Sequence, residues 1–156
     1  MAYIQMGWFS DCLGMAVQCD VILPTSDNGE KQALKTLWLI HGKTGNHHDW
    51  MRYTSLERYV QGKNLCVVMP SVPKCSDATL EYAHKIEQYI SKELPQKMRT
   101  FFHLSDKQEE HYMFGQSIRG EWAFPDAPSY HHFVLDEGEH TWDYWDEQIQ
   151  LFINQL

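Results

Sequence analysis

Two stretches of mainly apolar residues at the start of the chain favour β-strands. Residues 3–13 and 15–23 contain aromatic and β-branched side chains, and Gly14 separates them. The second stretch stops at Pro24, which is followed by small and polar residues typical of a surface loop. The pattern predicts an antiparallel hairpin at the start of the fold.

Further apolar runs alternate with segments of helical periodicity. Residues 34–40 and 65–69 are almost continuously apolar, as expected of strands that are buried on both faces. Residues 53–61 are predicted to form a helix that stops at Gly62. Residues 77–94 carry apolar positions at helical spacing, with Ser76 or Asp77 as the N-cap.

The last third continues the alternation. A strand at residues 112–114 is followed by a short helix at 121–124, a strand at 131–135 and an amphipathic helix at 142–156. Alternating strands and helices predict an α/β fold, with a mainly parallel sheet and helices on both faces, in one domain of residues 1–156. Because so little chain intervenes, we expect strand 131–135 to pair directly beside strand 112–114.

Composition and charge narrow the classes of partner. The formal charge is −8 and the Lys and Arg residues are scattered, which argues against nucleic-acid binding. No apolar run is long enough to span a bilayer, and the N-terminal residues do not resemble a signal peptide. The four cysteines form no CxxC pair, and three of them lie in or beside apolar runs, as reduced thiols do. We therefore expect a cytoplasmic protein without a membrane anchor.

The segment with the clearest chemistry is Gly115-Gln116-Ser117, at the end of a short apolar strand. A serine on a sharp turn between a strand and a helix is presented as a nucleophile. Its hydroxyl needs a base to take the proton, and His140 is the expected partner. Arg119 stands where such a turn usually has glycine.

Four ordered segments resemble the esterase D-like branch of the α/β-hydrolases, which includes S-formylglutathione hydrolases, and most closely bacterial tributyrin-type acetyl esterases. The matching segments are LIHGKTGNHHDW at residues 39–50, VVMP at 67–70, GQS at 115–117 and GEHTWDYW at 138–145. The resemblance covers residues 1–124 and 131–156. It implies a serine esterase with Ser117 as nucleophile and His140 as base. It also implies that the backbone amides of Lys43 and Ile118 stabilise the oxyanion.

The same resemblance indicates an internally shortened member, because only 23 positions separate Ser117 from His140. The family has more chain there, including the loop that carries the acid of the triad. Asp136 is the expected acid because it follows the last strand on the side of the sheet where His140 emerges. Glu137 and Glu139 compete with it, Asp126 falls at the opposite edge, and a Ser–His dyad without an acid is an equal alternative.

The histidines do not indicate a metal site at this stage. His47 and His48, like His131 and His132, are adjacent, and adjacent residues of a strand point to opposite faces. No Cys or carboxylate spacing supports a metal ligand set, so neither a metal nor a cofactor is assigned.

The function expected from the sequence is the hydrolysis of short-chain carboxylic esters through an acyl-Ser117 intermediate. The alternative is a catalytically impaired hydrolase remnant that acts as a binding or assembly module. The substrate partner is a small-molecule ester, with no nucleic acid and no membrane. Shortening exposes sheet edge or apolar surface, so we expect a tendency to form homodimers.

Overall fold

A computed structural model describes residues 1–25, 32–74, 80–115 and 141–156, together with the backbone of residues 130–131. These residues build a mixed sheet of six strands in the order β1-β2-β4-β3-β5-β6. The strands are β1 (Ala2–Ser10), β2 (Met15–Leu23), β3 (Lys35–Ile40), β4 (Leu65–Pro70), β5 (His111–Gly115) and β6 (Tyr130–His131).

The N-terminal hairpin is confirmed, and the other strand pairs make the sheet mainly parallel. Strands β1 and β2 pair antiparallel from Ala2 opposite Leu23 to Ser10 opposite Met15. Gly14 occupies the turn with φ +65, a left-handed conformation that favours glycine. Strand β2 is antiparallel to β4, whereas β4, β3, β5 and β6 run parallel to one another.

Strand β6 lies directly beside β5, as the short connection predicts. Tyr112 pairs with Tyr130 and Met113 with His131 in parallel register. The predicted helix at 121–124 and the rest of the predicted strand 131–135 lie outside the described residues.

The helices differ from their predicted bounds at two places. They are α1 (Asp49–Tyr53), α2 (Leu56–Tyr59), α3 (Leu80–Gln88), α4 (Leu94–Phe101) and α5 (Trp142–Ile153). The predicted helix 53–61 is wrong in its limits, because the helical segment begins at Asp49 and is interrupted. At the interruption the Thr54 side chain donates to the Trp50 carbonyl (2.5 Å) and accepts from the Leu56 amide (3.2 Å). Its hydroxyl therefore competes with the helical backbone.

The second predicted helix, 77–94, continues past its expected end. Helix α3 passes through a π-helical turn, Tyr89–Glu93, into α4. The Leu94 amide donates to the Tyr89 carbonyl, five residues back. Pro95 has no N–H for the Ser91 carbonyl and its ring crowds that position, which explains the widened turn before it.

Helices cover both faces of the sheet, so the predicted layers are confirmed. Each face has its own apolar core, and the residues of both cores are almost fully buried. On one face, sheet residues Val21, Trp38, Cys66 and Val68 pack with Ile86, Tyr89, Leu94 and Met98. On the other face, Ile22, Leu37, Leu39 and Val67 pack with Trp50, Leu56, Ile149 and Phe152. None of the helices in the described ranges combines the length and the apolar character needed to cross a membrane.

Glu93, in the π-helical turn, holds the turn that connects β1 to β2. Its carboxylate accepts from the Ser10 hydroxyl (2.8 Å) and from the Asp11 and Cys12 amides (3.0 and 3.1 Å). Burial alone would raise the pKa of Glu93, but these hydrogen bonds outweigh it and lower the pKa below its usual 4.5.

We expect this carboxylate to make stability depend on pH in the acidic range. Because the pKa is lower in the folded state, Glu93 stabilises the fold above the unfolded-state value of 4.5, and that stabilisation is lost as the pH falls through the folded-state value. Urea unfolding of Glu93→Gln between about pH 6 and pH 3 should show a weaker loss of stability than the unmodified chain. Glu81→Gln, at the exposed start of α3, is the matched control and should not change the profile. An unchanged profile in Glu93→Gln contradicts the assignment.

Candidate active site

The predicted active-site segments leave the sheet at one edge. Strands β3 and β5 are parallel neighbours, and their last paired residues are Ile40 and Gly115. The turn that begins at His41 and the segment that leads to Ser117 therefore start at the same level, side by side. This carboxyl edge is where α/β folds place their ligand sites.

The turn after β3 is held by the ring of His41, which is buried. The Val72 amide donates to His41 Nε2 (3.0 Å), so the ring proton is on Nδ1. That Nδ1–H donates to the Gly42 carbonyl (2.7 Å), which also accepts from the Gly45 amide (3.1 Å). A trans peptide is planar, with its N–H opposite its C=O. Fixing the Gly42 carbonyl therefore also fixes the direction of the Lys43 N–H.

The loop that follows is closed by short side-chain contacts to its own backbone. The Asp49 carboxylate accepts from the Asn46 amide (2.9 Å), and the Asn46 side-chain oxygen accepts from the His48 amide (2.8 Å). A β-carbon on Gly45 would collide with the Asp49 carboxylate, so glycine at this position leaves room for the carboxylate to accept from the Asn46 amide. The loop thus has one compact arrangement that leads directly into α1.

Trp50 connects both strand ends to the start of α5. Its side chain is fully buried, and its indole N–H donates to the Ile40 carbonyl (3.2 Å). Its ring meets Phe114 edge-on at a centroid distance of 5.7 Å and Trp142 edge-on at 5.4 Å. Trp142 also stacks on Tyr53 (4.9 Å). The first residue of α5, two positions after His140, is therefore packed beside the carboxyl ends of β3 and β5.

A second contact holds α5 against α2 and the residue before it. Asp146 accepts from the Ser55 amide and from the Tyr59 hydroxyl, both at 2.7 Å. Burial, together with the hydrogen bond to Asp146, raises the pKa of Tyr59. Trp145 is part of the core on this face of the sheet, and Trp142 packs against it.

Most of the predicted catalytic residues cannot be placed at this edge. Ser117, Ile118, Arg119, Asp136 and His140 lie outside the described residues, as do the alternatives Asp126, Glu137 and Glu139. Lys43 is described, and it lies in the turn that His41 holds. Their roles therefore stay predictions.

Sequence reasoning missed a histidine and aspartate cluster near this edge. His48 Nδ1 contacts Asp20 Oδ2 at 2.6 Å, and the rings of His47 and His48 are 3.8 Å apart. Burial, followed by the neighbouring His48, lowers the pKa of His47. Adjacent residues point to opposite faces only in a strand, and His47 and His48 lie in a turn. Their adjacency therefore does not argue against a shared metal ion. The one available signal was Asp20, an acidic residue inside a mainly apolar strand.

Comparison with known proteins supports the resemblance to α/β-hydrolases that the fold and the motifs indicate. No family model matches the chain. An acetyl esterase from Caldicellulosiruptor saccharolyticus is 26% identical over 140 residues, which cover 83% of this chain and 52% of that protein. The crystal structure of an S-formylglutathione hydrolase from Staphylococcus aureus is 35% identical, with a TM-score of 0.67 over 76% of this chain and 48% of its own. A fluorophosphonate-binding serine hydrolase from the same organism is 32% identical, with a TM-score of 0.64 over the same shares.

The fold is a reduced α/β-hydrolase fold, as the sequence predicts. The resemblance to esterases and S-formylglutathione hydrolases is likewise confirmed, and the chain spans about half the length of these relatives.

Proposed function

We propose that the chain carries the catalytic centre of a serine esterase that hydrolyses short-chain carboxylic esters. The observation that carries this proposal is the parallel pairing of Ile40 with Gly115. It brings the oxyanion turn and the strand that leads to the nucleophile to one point of the sheet edge. Ser117 follows Gly115 by two residues, a span of about 7 Å at most.

In the proposed reaction, Ser117 Oγ attacks the ester carbonyl while His140 takes its proton. The carbonyl oxygen becomes an oxyanion that accepts from the amides of Lys43 and Ile118. His140 then protonates the departing alcohol, and water hydrolyses the acyl-Ser117 intermediate by the same steps. Asp136 orients the His140 ring.

The anchoring of α5 supports the role of His140. Trp142, two residues after His140, is packed on Trp50, and the Trp50 indole N–H donates to the last carbonyl of β3. The proposal includes a cytoplasmic location, which suits the free thiols of Cys12, Cys19 and Cys66. It also includes a homodimer, because β1 ends the sheet and exposes Tyr3 and Phe9.

Only 23 positions separate Ser117 from His140, where the family has more chain, so we expect a shallow acyl site that favours small acyl groups. Initial rates with p-nitrophenyl acetate and p-nitrophenyl octanoate test this. The chain should hydrolyse the acetate faster than a Ser117→Ala variant does, and should prefer acetate to octanoate. If the chain hydrolyses the acetate no faster than Ser117→Ala does, the esterase proposal is wrong. A preference for octanoate would contradict only the shallow acyl site.

His41 is expected to act as a positioning residue for the oxyanion turn. His41→Ala removes the shorter of the two hydrogen bonds to the Gly42 carbonyl and so holds the direction of the Lys43 N–H less firmly. We expect kcat for p-nitrophenyl acetate to fall about 10-fold or more with little change in KM, since the oxyanion exists only after the attack. His103→Ala, an exposed histidine on the same chain, is the control. Circular dichroism verifies that the variant is folded, and a folded His41→Ala with unchanged kcat contradicts this role.

A further inference from the structure

Asp20, His47 and His48 converge from two separate parts of the fold. Asp20 lies on β2, opposite Met69 near the carboxyl end of β4, whereas both histidines lie in the turn before α1. One ligand atom from each residue lies within 4.8 Å of the others. Because the histidines are in a turn and not in a strand, their two rings lie on the same side of the backbone at 3.8 Å.

Two polar atoms of this cluster are buried without a hydrogen-bond partner among the described residues. Asp20 is fully buried, and its Oδ2 accepts from the Tyr3 hydroxyl (2.5 Å) and contacts His48 Nδ1 (2.6 Å). Its Oδ1 finds no donor there, and neither does His47 Nδ1 find a partner. A buried polar atom left unpaired destabilises the fold, and a charged one does so more strongly. Each such atom in a native fold needs an explanation, and a bound water or ion is one.

A simple ion pair between His48 and Asp20 does not account for the whole cluster. The pair uses Oδ2 and leaves both Oδ1 and His47 unexplained. A cation that contacts the carboxylate and both rings satisfies all three residues. Two imidazole nitrogens and one carboxylate oxygen suit a first-row transition metal such as Zn²⁺, whereas Ca²⁺ and Mg²⁺ prefer oxygen ligands throughout.

We propose that Asp20, His47 and His48 form a binding site for one Zn²⁺ ion, with water at a fourth position. The ion joins the loop that follows β3 to strand β2. His48 has 44% of its side chain exposed, which provides a path by which the ion enters. The site does not depend on the esterase proposal, because none of its ligands takes part in the proposed hydrolysis.

Zinc titration of the chelator-treated chain by calorimetry tests the proposal. The expected result is one tight site per chain, together with a rise in melting temperature on addition of zinc, since a ligand that binds only the folded state stabilises it. Co²⁺ in place of Zn²⁺ should give the visible absorption of a tetrahedral site.

Ligand variants locate the site. His48→Gln and Asp20→Asn should each weaken zinc binding at least about 100-fold, because even the loss of a residue that only supports a ligand weakens such sites by 10- to 100-fold. His48 is partly exposed, so its variant decides the question if Asp20→Asn fails to fold. The matched control is His84→Gln, an exposed histidine beside Glu87 (3.2 Å), which should bind zinc normally. Unsaturable binding by the unmodified chain, or binding by His48→Gln equal to that of the control, overturns the proposal.

Discussion

Ser117→Ala is expected to reduce kcat/KM for p-nitrophenyl acetate at least about 1000-fold. The variant removes the atom that we propose forms the acyl intermediate, and the loss of a nucleophile from such a centre leaves only binding and oxyanion stabilisation. Initial rates at substrate concentrations well below KM measure the ratio directly.

Ser91→Ala serves as the matched control for this variant. The Ser91 hydroxyl donates to the Glu87 carbonyl on the face of the sheet opposite to Trp50 and α5. Loss of this hydroxyl should therefore leave the rate unchanged. An equal rate in Ser117→Ala and the unmodified chain would contradict the role of Ser117 as the nucleophile.

Trp50→Ala is expected to destabilise the fold by about 3–5 kcal/mol. Removing a fully buried tryptophan leaves a large cavity in the second core. It also leaves the Ile40 carbonyl without its indole donor and Trp142 without its edge-on partner. Urea unfolding followed by circular dichroism measures the difference in free energy.

The comparison variant is Phe101→Ala, at the end of α4. Phe101 is 60% exposed, so its removal should change the free energy of unfolding by about 0.5 kcal/mol at most. Equal destabilisation by the two variants would contradict the role of Trp50 in joining the strand ends to α5.

The sequence predicts the sheet well because its strands are short apolar runs bounded by clear breaks. The runs at 34–40 and 65–69 become β3 and β4, and their burial on both faces follows from their mainly apolar composition. The pairing of β6 beside β5 follows from the shortness of the chain between them. The helix limits were less predictable. A side-chain hydroxyl at Thr54 and the proline at 95 changed them through local hydrogen bonding that periodicity does not record.

Some features of the candidate site, like those of the fold, could be predicted from the sequence, and others could not. The turn at His41 and the strand end at Gly115 follow from motif and strand order, and both lie where expected. The position of the proton on the His41 ring could not be predicted, because it depends on the amide of Val72, which lies just after the end of β4. The cluster of Asp20 with His47 and His48 was equally hidden, because Asp20 is 28 residues away from the ring it contacts.

Labelling with a fluorophosphonate probe is the most direct test of the central claim that Ser117 is an activated nucleophile. One relative of this chain is itself a fluorophosphonate-binding serine hydrolase. We expect the unmodified chain to form one adduct, located on Ser117 by mass spectrometry, with no adduct in Ser117→Ala and much slower labelling in His140→Ala. An adduct on a different serine, no adduct in the unmodified chain, or equal labelling of His140→Ala would contradict the claim.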